Sequence, residues 1–415
     1  MKKILILFHN NFLDNTLGCN SYLFEIARHL KNRGCQVDFF STDRVWDNFA
    51  TFDELNAKHG GLITNFFLHR SKHPKGPLPA AITERKYPSE RFGLFSIRRT
   101  TISPVSDALQ AEGFGWMTPA TGAELQKVID EHDYDIIHVH YIQTAEVLKH
   151  VRIPPRTRCI YGAQDALYLM MGYYQFGISG LLSVLPRELE VLRLFQSAFC
   201  ISYDEMRMFK LLLPQVDFRF VPHMLPRRVL PEREKTVDVL FLGFMNPHNK
   251  EAVKWFVEKV MPFRKTVWKV AVCGRVWWSF DKDEPGFNAL AAQVGVRRIE
   301  FAEDLDELYA ETRISIVPLL GGTGMKIKTV DSMARGVPVV STSYGVDGFP
   351  DKLENGCLVA DDPKTFAAHI DHLLGDAEFY ESQRRKTIAY FENHLSRDVV
   401  APVIDELFEL NGEGK

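Results

Sequence analysis

The sequence predicts an α/β protein built from two doubly wound parallel-sheet domains. Continuous apolar runs, typical of buried parallel strands, begin each half at residues 4–8 and 237–243. Each run is followed by a loop and a segment with helical apolar spacing, and the alternation then repeats. A stretch with three prolines and dense charge, residues 222–234, separates the halves. The length of 415 residues suits two domains that each bury a core.

The composition indicates a globular protein and gives no whole-molecule case for binding nucleic acid. Hydrophobic residues make up 46% and charged residues 25%, and 50 basic residues face 53 acidic ones. The six cysteines are scattered without a C-x-x-C pair, which favours buried free thiols in a reducing compartment. The first apolar run is too short for a signal segment, and no run reaches the length of a membrane span. We therefore expect a cytoplasmic protein.

The first half opens with a strand, a loop and a helix. We expect the strand at residues 4–8, a loop at 10–20 that contains Gly18, and a helix at 21–32 capped by Ser21. Further elements are predicted as a strand at 37–40, a helix at 185–194, a strand at 198–202 and a helix at 204–213. Residues 45–125 carry the weakest periodicity.

A basic, aromatic segment lies at residues 70–99. It holds eight lysines and arginines against two glutamates, with aromatic residues interleaved. Most charge runs are solvated faces, and that alternative stays open here. The local positive charge also makes this segment a candidate for contact with an anionic membrane surface or a phosphate-bearing acceptor.

Residues 135–140 predict a strand that ends in a histidine. The carboxyl edge of a parallel sheet lines the ligand crevice, so His140 becomes a candidate site residue. Strand alternation places His138 and His140 on one face. If the two histidines bound a metal, a third ligand would be needed, and none has suitable spacing. A structural role for the histidine is therefore the favoured interpretation.

The most informative stretch is residues 317–348. An apolar run at 314–320 breaks at a glycine turn, 321–324, and a helix and a second buried strand at 337–342 follow. Gly336 stands where a left-handed residue ends a helix. Lys326 and Lys328 would lie in the first helical turn, where cations oppose the helix dipole unless an anion is bound. The alternative is a tight turn with solvated lysines.

This stretch resembles the donor-binding segment of retaining glycosyltransferases of the GT-B fold, especially family 4. The matching positions are Lys328, Asp331, Ala334, Gly336, Pro338, Val339, Val340, Thr342, Gly345 and Gly348. The resemblance implies two Rossmann-like domains facing a central cleft. It implies an acceptor-binding domain at 1–222, a donor-binding domain at 235–384, and C-terminal helices at 385–415 that pack back on the first domain.

The resemblance also implies an activity. The expected enzyme moves a sugar from a nucleotide-diphosphate donor to a hydroxyl of a glycan or lipid-linked acceptor. The transfer is expected to retain the anomeric configuration and to need no metal or cofactor. The enzyme is expected to act in bacterial polysaccharide synthesis at the inner membrane face. The catalytic residues it implies are His140, Gln164 and Thr323. The donor-binding residues it implies are Gly18, Arg275, Phe301, Gly322, Gly324, Met325, Lys326, Lys328 and Asp331.

Three positions depart from the family pattern. Gln164 replaces a histidine, Thr323 a glutamate and Phe244 an arginine. A catalytically silent partner subunit, or a nucleotide-sugar enzyme that does not transfer, such as an epimerase, is therefore the alternative. Asp331 has its own alternative as a helix-surface carboxylate paired with Lys328. The carboxylates of residues 281–283 are expected in a solvated loop.

Overall fold

The computed structural model describes residues 1–9, 12–13, 18–41, 49–68, 117–352 and 354–410. The chain divides into two compact units, one formed by Met1–Phe199 and Lys210–Phe218, the other by Cys200–Phe209 and Arg219–Lys415. The basic segment 70–99 lies outside the described residues, so its contact with a membrane stays a prediction. In the parts of the chain that are described, no helix has the length and apolar character needed to cross a membrane.

The first sheet is doubly wound. Its strands are β1 (Lys3–Phe8), β2 (Gln36–Ser41), β3 (Phe66–Leu68), β4 (Ile136–His140), β5 (Arg158–Ala163), β6 (Ser197–Cys200) and β7 (Asp217–Phe220). Within the described residues their order is β3-β2-β1-β4-β5-β6-β7, and β1 pairs in parallel with both β2 and β4. The chain thus builds outward from β1 to one edge and resumes on the other side at β4. The topological switch point lies between those two strands.

The helices that connect these strands differ in places from prediction. They are α1 (Gly18–Asn32), α2 (Phe49–Lys58), α3 (Pro119–His132), α4 (Ile142–Ala145), α5 (Tyr174–Leu192) and α6 (Tyr203–Leu212). The start of α1 at residue 21 was wrong, because Gly18 is already helical. Contacts beyond the helix stabilise this extra turn: Gln164 donates a hydrogen bond to the Cys19 carbonyl, and Asn20 is buried.

Helix α5 begins well before the predicted residue 185. Its buried positions, Gly180, Val184, Glu188, Val191 and Leu192, follow helical spacing. Gly180 has no side chain and Glu188 is charged, so the hydrophobic pattern alone could not reveal the early start. Gly177, with φ of 64°, marks a kink inside the helix.

The second sheet has the same winding. Its strands are β8 (Val237–Leu242), β9 (Val270–Cys273), β10 (Val296–Ile299), β11 (Thr312–Val317), β12 (Val339–Ser341) and β13 (Cys357–Val359). Their order, β10-β9-β8-β11-β12-β13, is that of a dinucleotide-binding sheet, and each neighbouring pair is parallel. The two predicted parallel sheets are therefore confirmed. The switch point of this sheet lies between β8 and β11.

Local capping residues mark where several helices of this unit begin or end. The helices are α7 (Pro247–Trp255), α8 (Val276–Asp283), α9 (Pro285–Gln293), α10 (Leu305–Ala310), α11 (Ile327–Ala334), α12 (Pro363–Gly375), α13 (Ala377–His394) and α14 (Arg397–Leu407). Side chains of Asn246, Asp304, Asp362 and Asp376 accept hydrogen bonds from first-turn amides of α7, α10, α12 and α13. Gly336, with φ of 65°, follows the C-cap of α11, as predicted.

The loop predicted at residues 281–283 is wrong, since these residues end helix α8. Trp277 and Phe280 are buried, and their packing stabilises a helix that continues into the charged residues 281–283. Asp281 is paired with Arg298 at 2.7 Å, not merely solvated. The return of residues 385–415 to the first domain stays a prediction. All six cysteines are free, as predicted.

Candidate functional site

The switch point of the second sheet brings two loops together. One follows β8 and leads into α7, and the other follows β11 and leads into α11. In open α/β sheets, ligands bind outside the carboxyl ends of the strands at such a point. The glycine turn predicted at 321–324 lies in the second of these loops.

The glycine loop is shaped around the ammonium group of Lys326. Gly322 and Gly324 have φ of 108° and 68°, conformations that glycine adopts without steric cost. Lys326 Nζ donates to the carbonyl oxygens of Gly322, Thr323 and Gly324 at 3.2, 2.8 and 2.8 Å. In a planar trans peptide the N–H points opposite to the C=O. The amides of Thr323, Gly324 and Met325 therefore point away from the ammonium group.

The placement of Lys326 corrects the prediction in one respect. Lys326 is the N-cap of α11, not a first-turn residue, and its side chain is buried. Its three N–H donors match the three loop carbonyls. Its charge therefore stabilises the loop itself.

Lys328 stands at the second position of α11 and reaches helix α7. Its Nζ donates a hydrogen bond to Asn249 Oδ1 and lies 4.6 Å from the centre of the Phe241 ring. Burial, together with the nearby charge of Lys326, lowers the pKa of Lys328 to about 7. Among the described residues, no carboxylate forms an ion pair with it. A half-buried lysine without a carboxylate partner is stabilised by an anion that a ligand brings.

Asn249 holds Lys328 because it is itself fixed at both ends. Its Nδ2 donates to the Phe244 carbonyl at 2.9 Å, and its backbone N–H donates to Asn246 Oδ1 at 2.8 Å. The sequence reasoning missed Asn249. The signal available was its place three residues after the cap of a helix that follows the first strand.

Asp331 does not pair with Lys328, so that alternative is wrong. Its Oδ1 accepts from Arg335 at 3.2 Å, and Arg335 also binds Asp306 at 2.7 Å. Residues four apart face each other on a helix as well as residues three apart, and Arg335 offers the longer reach. A ribose contact of Asp331 stays a prediction.

Arg275 and Phe301 lie after β9 and β10. Gly274 precedes Arg275 with φ of 117°, and a Cβ there would come 2.3 Å from the Gly243 carbonyl oxygen. The guanidinium of Arg275 lies 5.9 Å from the Phe244 ring and 5.2 Å from the Trp278 ring. Phe301 is 72% exposed. Their roles in donor binding stay predictions.

His248 is a further residue that the sequence reasoning missed. It is exposed at the second position of α7, and its imidazole lies against the glycine loop. A Cβ added at Gly321 would lie 3.5 Å from its Nδ1, and one at Gly322 3.6 Å from its Cδ2. Its sequence position, just after the cap Asn246 and Pro247, was the available signal.

The switch point of the first sheet carries a buried polar network. Tyr141 follows β4 with φ of 64°, a strained value for a non-glycine residue. Its hydroxyl donates to Gln164 Oε1 at 3.1 Å, and Gln164 Nε2 lies 3.3 Å from His140 Nδ1. Gln164 and His140 are buried, 5% and 0% exposed. The structure thus brings these two candidate catalytic residues together, and their catalytic roles stay predictions.

His138 and His140 share a face, as predicted, with ring centres 4.3 Å apart. Burial lowers the pKa of His138 to about 3, and burial with the neighbouring His138 holds the pKa of His140 well below its usual value. Both rings are therefore neutral near pH 7. A Cβ at Gly162 would come 2.6 Å from the His140 ring, so this packing requires glycine.

No cluster of three potential metal-ligating side chains occurs within the described ranges. Gly18 is the first residue of α1 rather than a loop residue, which corrects its predicted setting. Its place in donor binding stays a prediction.

Sequence comparisons match part of the chain. Residues 236–376, which contain all of the second sheet, match a family model described as glycosyl transferases group 1. A Klebsiella pneumoniae protein, described as an uncharacterized 44.6 kDa protein in the cps region, is 29% identical over 177 residues. That match covers 41% of this chain and 45% of the relative, so the chain spans less than half of the relative's length.

Solved structures match nearly the whole chain. Sucrose-phosphate synthase of Thermosynechococcus elongatus has a TM-score of 0.70 at 12% identity, over 99% of this chain and 98% of that one. Anabaena HepE in complex with UDP and glucose has a TM-score of 0.65 at 12% identity, over 99% and 100%. A variant of S. aureus TarM, in complex with fondaparinux, alpha-GlcNAc-glycerol and UDP, has 0.67 at 10% identity, over 98% and 100%. These likenesses confirm that the chain has the two-sheet α/β fold of GT-B glycosyltransferases.

Proposed function

We propose that this chain is a glycosyltransferase that moves a sugar from a nucleoside diphosphate to a hydroxyl of a glycan or glycolipid. The observation that carries the proposal is the arrangement at the switch point of the second sheet. There the half-buried Lys328 ammonium has no carboxylate partner among the described residues, and it lies near the charge of Lys326, which the glycine loop holds. Such a site suits a diphosphate.

Two comparisons support the nucleotide part of the proposal. The family model for glycosyl transferases group 1 covers the loops at this switch point. The HepE and TarM structures of the same fold contain UDP. We therefore infer that the donor is a UDP-sugar, bound with its diphosphate at Lys328 and the amides of residues 323–325.

The chemistry follows from where charge develops. When the bond between sugar and diphosphate breaks, negative charge grows on the leaving oxygen. Fixed amides and a cation aimed at that oxygen stabilise the transition state more than the ground state. Because the protein supplies this positive charge, we propose a transfer that needs no divalent metal. We also propose retention at the anomeric carbon, with the acceptor hydroxyl on the face of the leaving group.

The sugar end of the donor needs contacts other than the family glutamate. Thr323 stands at that position, and its hydroxyl is a hydrogen-bond donor and acceptor for a sugar hydroxyl. We propose Asp331 for the ribose, the exposed Phe301 for the base end, and the exposed Arg275 as a replacement for the family arginine at the diphosphate. His140 and Gln164 would then position the acceptor side from the first sheet.

The acceptor class rests on the Klebsiella pneumoniae relative. That protein belongs to a cps region, and the match covers less than half of its length. We propose an acceptor of bacterial polysaccharide synthesis, handled at the cytoplasmic membrane face. Contact with that face through residues 70–99 is part of the same proposal.

A silent partner subunit is the second candidate. Two observations favour it: Thr323 replaces a carboxylate, and Gln164, which cannot carry a proton, is buried in a closed network. Such a protein would bind the donor without turnover.

The test is to incubate the full chain with UDP-sugars and to measure UDP release with and without a glycan acceptor, each with and without EDTA. Release that depends on the acceptor and resists EDTA supports the proposal, and the product's anomeric configuration by NMR tests retention. Binding without release would favour the silent partner. Failure to bind any nucleoside diphosphate would reject both.

A further inference from the structure

Among the described residues, no ion pair with a carboxylate accounts for the position of the His248 side chain. His248 lies at the second position of α7, with its imidazole packed over Gly321 and Gly322 at the distances given above. The residue is exposed overall, and its ring has no side-chain hydrogen bond among the described residues. It thus stands between the loop after β8 and the glycine loop.

The other basic side chains of α7 are in a different situation. Lys250 lies 3.2 Å from carboxylates of both Asp283 and Glu284, and Lys254 lies 2.6 Å from Glu284. Their charges are therefore neutralised by helix α8 and the residue that follows it. His248 is the basic side chain of this helix that faces the glycine loop instead.

The charges around His248 favour an anion. Lys326 faces it from the glycine loop and Lys328 from α11, while Glu251 faces it from its own helix. Burial and the charges of Lys326 and Lys328 lower the pKa of His248, while the Glu251 carboxylate raises it. Two cations against one carboxylate leave a local excess of positive charge.

We propose that the His248 imidazolium is an additional cationic contact for the diphosphate of the donor, beside Lys328 and the neutral loop amides. The inference rests on the proposed function, because it concerns the same site. The family resemblance expects an arginine at position 244, where this chain has Phe244. His248, in the first turn of α7, supplies a positive charge that Phe244 in the preceding loop cannot.

A histidine that contacts the diphosphate links donor binding to proton uptake, whereas a merely structural histidine does not. In the free protein His248 is neutral near pH 7, because its pKa lies below the ordinary value of 6.5. A bound diphosphate raises that pKa, since it favours the charged ring. Donor binding then takes up a proton at His248, and affinity rises as pH falls toward the pKa of the free ring.

The experiment is calorimetric titration of the full chain with UDP, near neutral pH, in buffers with different ionisation enthalpies. The slope of the observed heat against buffer enthalpy gives the number of protons taken up. His248→Gln keeps a hydrogen-bonding side chain but cannot be protonated. We expect it to weaken UDP binding about 10- to 100-fold at slightly acidic pH and to lower the proton uptake.

Lys250→Gln is the matched control, since it removes a cation two residues away whose charge is already paired. We expect its UDP affinity and proton uptake to stay near those of the wild type. A thermal melt of each variant verifies that it is folded.

Two results would overturn the inference while leaving the proposed function intact. One is a His248→Gln variant with wild-type affinity and proton uptake. The other is uptake that persists in His248→Gln and disappears in Lys328→Met, which would assign the proton to Lys328. A wild-type chain that binds no nucleoside diphosphate would instead reject the proposed function.

Discussion

Lys328 Nζ donates a hydrogen bond to Oδ1 of Asn249 and thereby joins the two helices that begin at the second switch point. Asn249 belongs to the helix after β8, and Lys328 to the helix after β11. An amide oxygen holds the ammonium group in place but carries no full negative charge. The lysine is therefore positioned without an ion pair to a carboxylate, which leaves its charge available to an anion.

The first prediction concerns that lysine and ligand binding. Lys328→Ala removes a charged contact that is worth about 1.5–3 kcal/mol, so UDP affinity should fall about 10- to 100-fold. The increase in melting temperature produced by UDP measures the effect, because a ligand stabilises the state that binds it.

Lys364→Ala is the matched control for that measurement. Lys364 also stands at the second position of a helix, α12, where it is exposed. It should leave the UDP effect unchanged. If both variants lost the UDP effect equally, Lys328 would act only through the overall charge of the protein.

The second prediction concerns the pH dependence of stability. The pKa of Lys328 falls from 10.5 to about 7 on folding. Between those values the unfolded chain binds the proton and the folded chain does not. The free energy of unfolding contributed by this group therefore rises with pH across that window and is level below it.

Denaturant unfolding of the wild type and Lys328→Met at several pH values tests this sign. The difference in unfolding free energy between the two should increase with pH above neutrality in favour of the wild type. A difference that is flat, or that shrinks with rising pH, would contradict a lowered pKa.

Sequence patterns predicted the two parallel sheets because buried parallel strands are continuous apolar runs, and 237–243 and 314–320 stand out as such. Glycine signals were also informative: Gly336 ends α11 with positive φ, as its position predicts. These are local features, and local chemistry determines them.

The predictions that failed depend on contacts between distant residues. Asn249 and Lys328 are 79 positions apart, and no spacing rule links them. The bonds of Lys326 to three carbonyls require a fold of the loop that the pattern of glycines permits but does not specify. The early start of α1 depends on Gln164, 145 positions from Cys19.

The third prediction concerns the shape of the glycine loop. Lys326→Met removes the donor for three carbonyl oxygens and should lower the unfolding free energy by about 1.5–3 kcal/mol. UDP affinity should fall as well, because the loop amides lose their orientation. Chemical denaturation and UDP titration measure the two effects.

Gly324→Ala reaches the same loop by another route. Its φ of 68° costs an alanine about 1–2 kcal/mol, while the Lys326 ammonium is retained. If loop shape governs binding, both variants should weaken UDP. A loss in Lys326→Met alone would instead mean that the ammonium contacts the ligand directly.

The fourth prediction concerns the buried network of the first sheet. Gln164 accepts from the Tyr141 hydroxyl and donates to the Cys19 carbonyl. Gln164→Leu leaves those partly buried groups without this partner, and each group left unsatisfied costs up to about 1–3 kcal/mol. We expect a loss of unfolding free energy in that range or above it, measured by denaturant melts.

Gln143→Leu is the matched control. Gln143 follows Tyr141 by two residues, is buried, and has an Oε1 without a hydrogen-bond partner in the described structure. Replacing an amide whose oxygen is already unsatisfied should be close to neutral or stabilising. If Gln164→Leu proved as mild as Gln143→Leu, the network would contribute little to folding. Gln164 would then be retained for a contact with a ligand, and donor or acceptor affinity in Gln164→Leu would be the quantity to compare with the wild type.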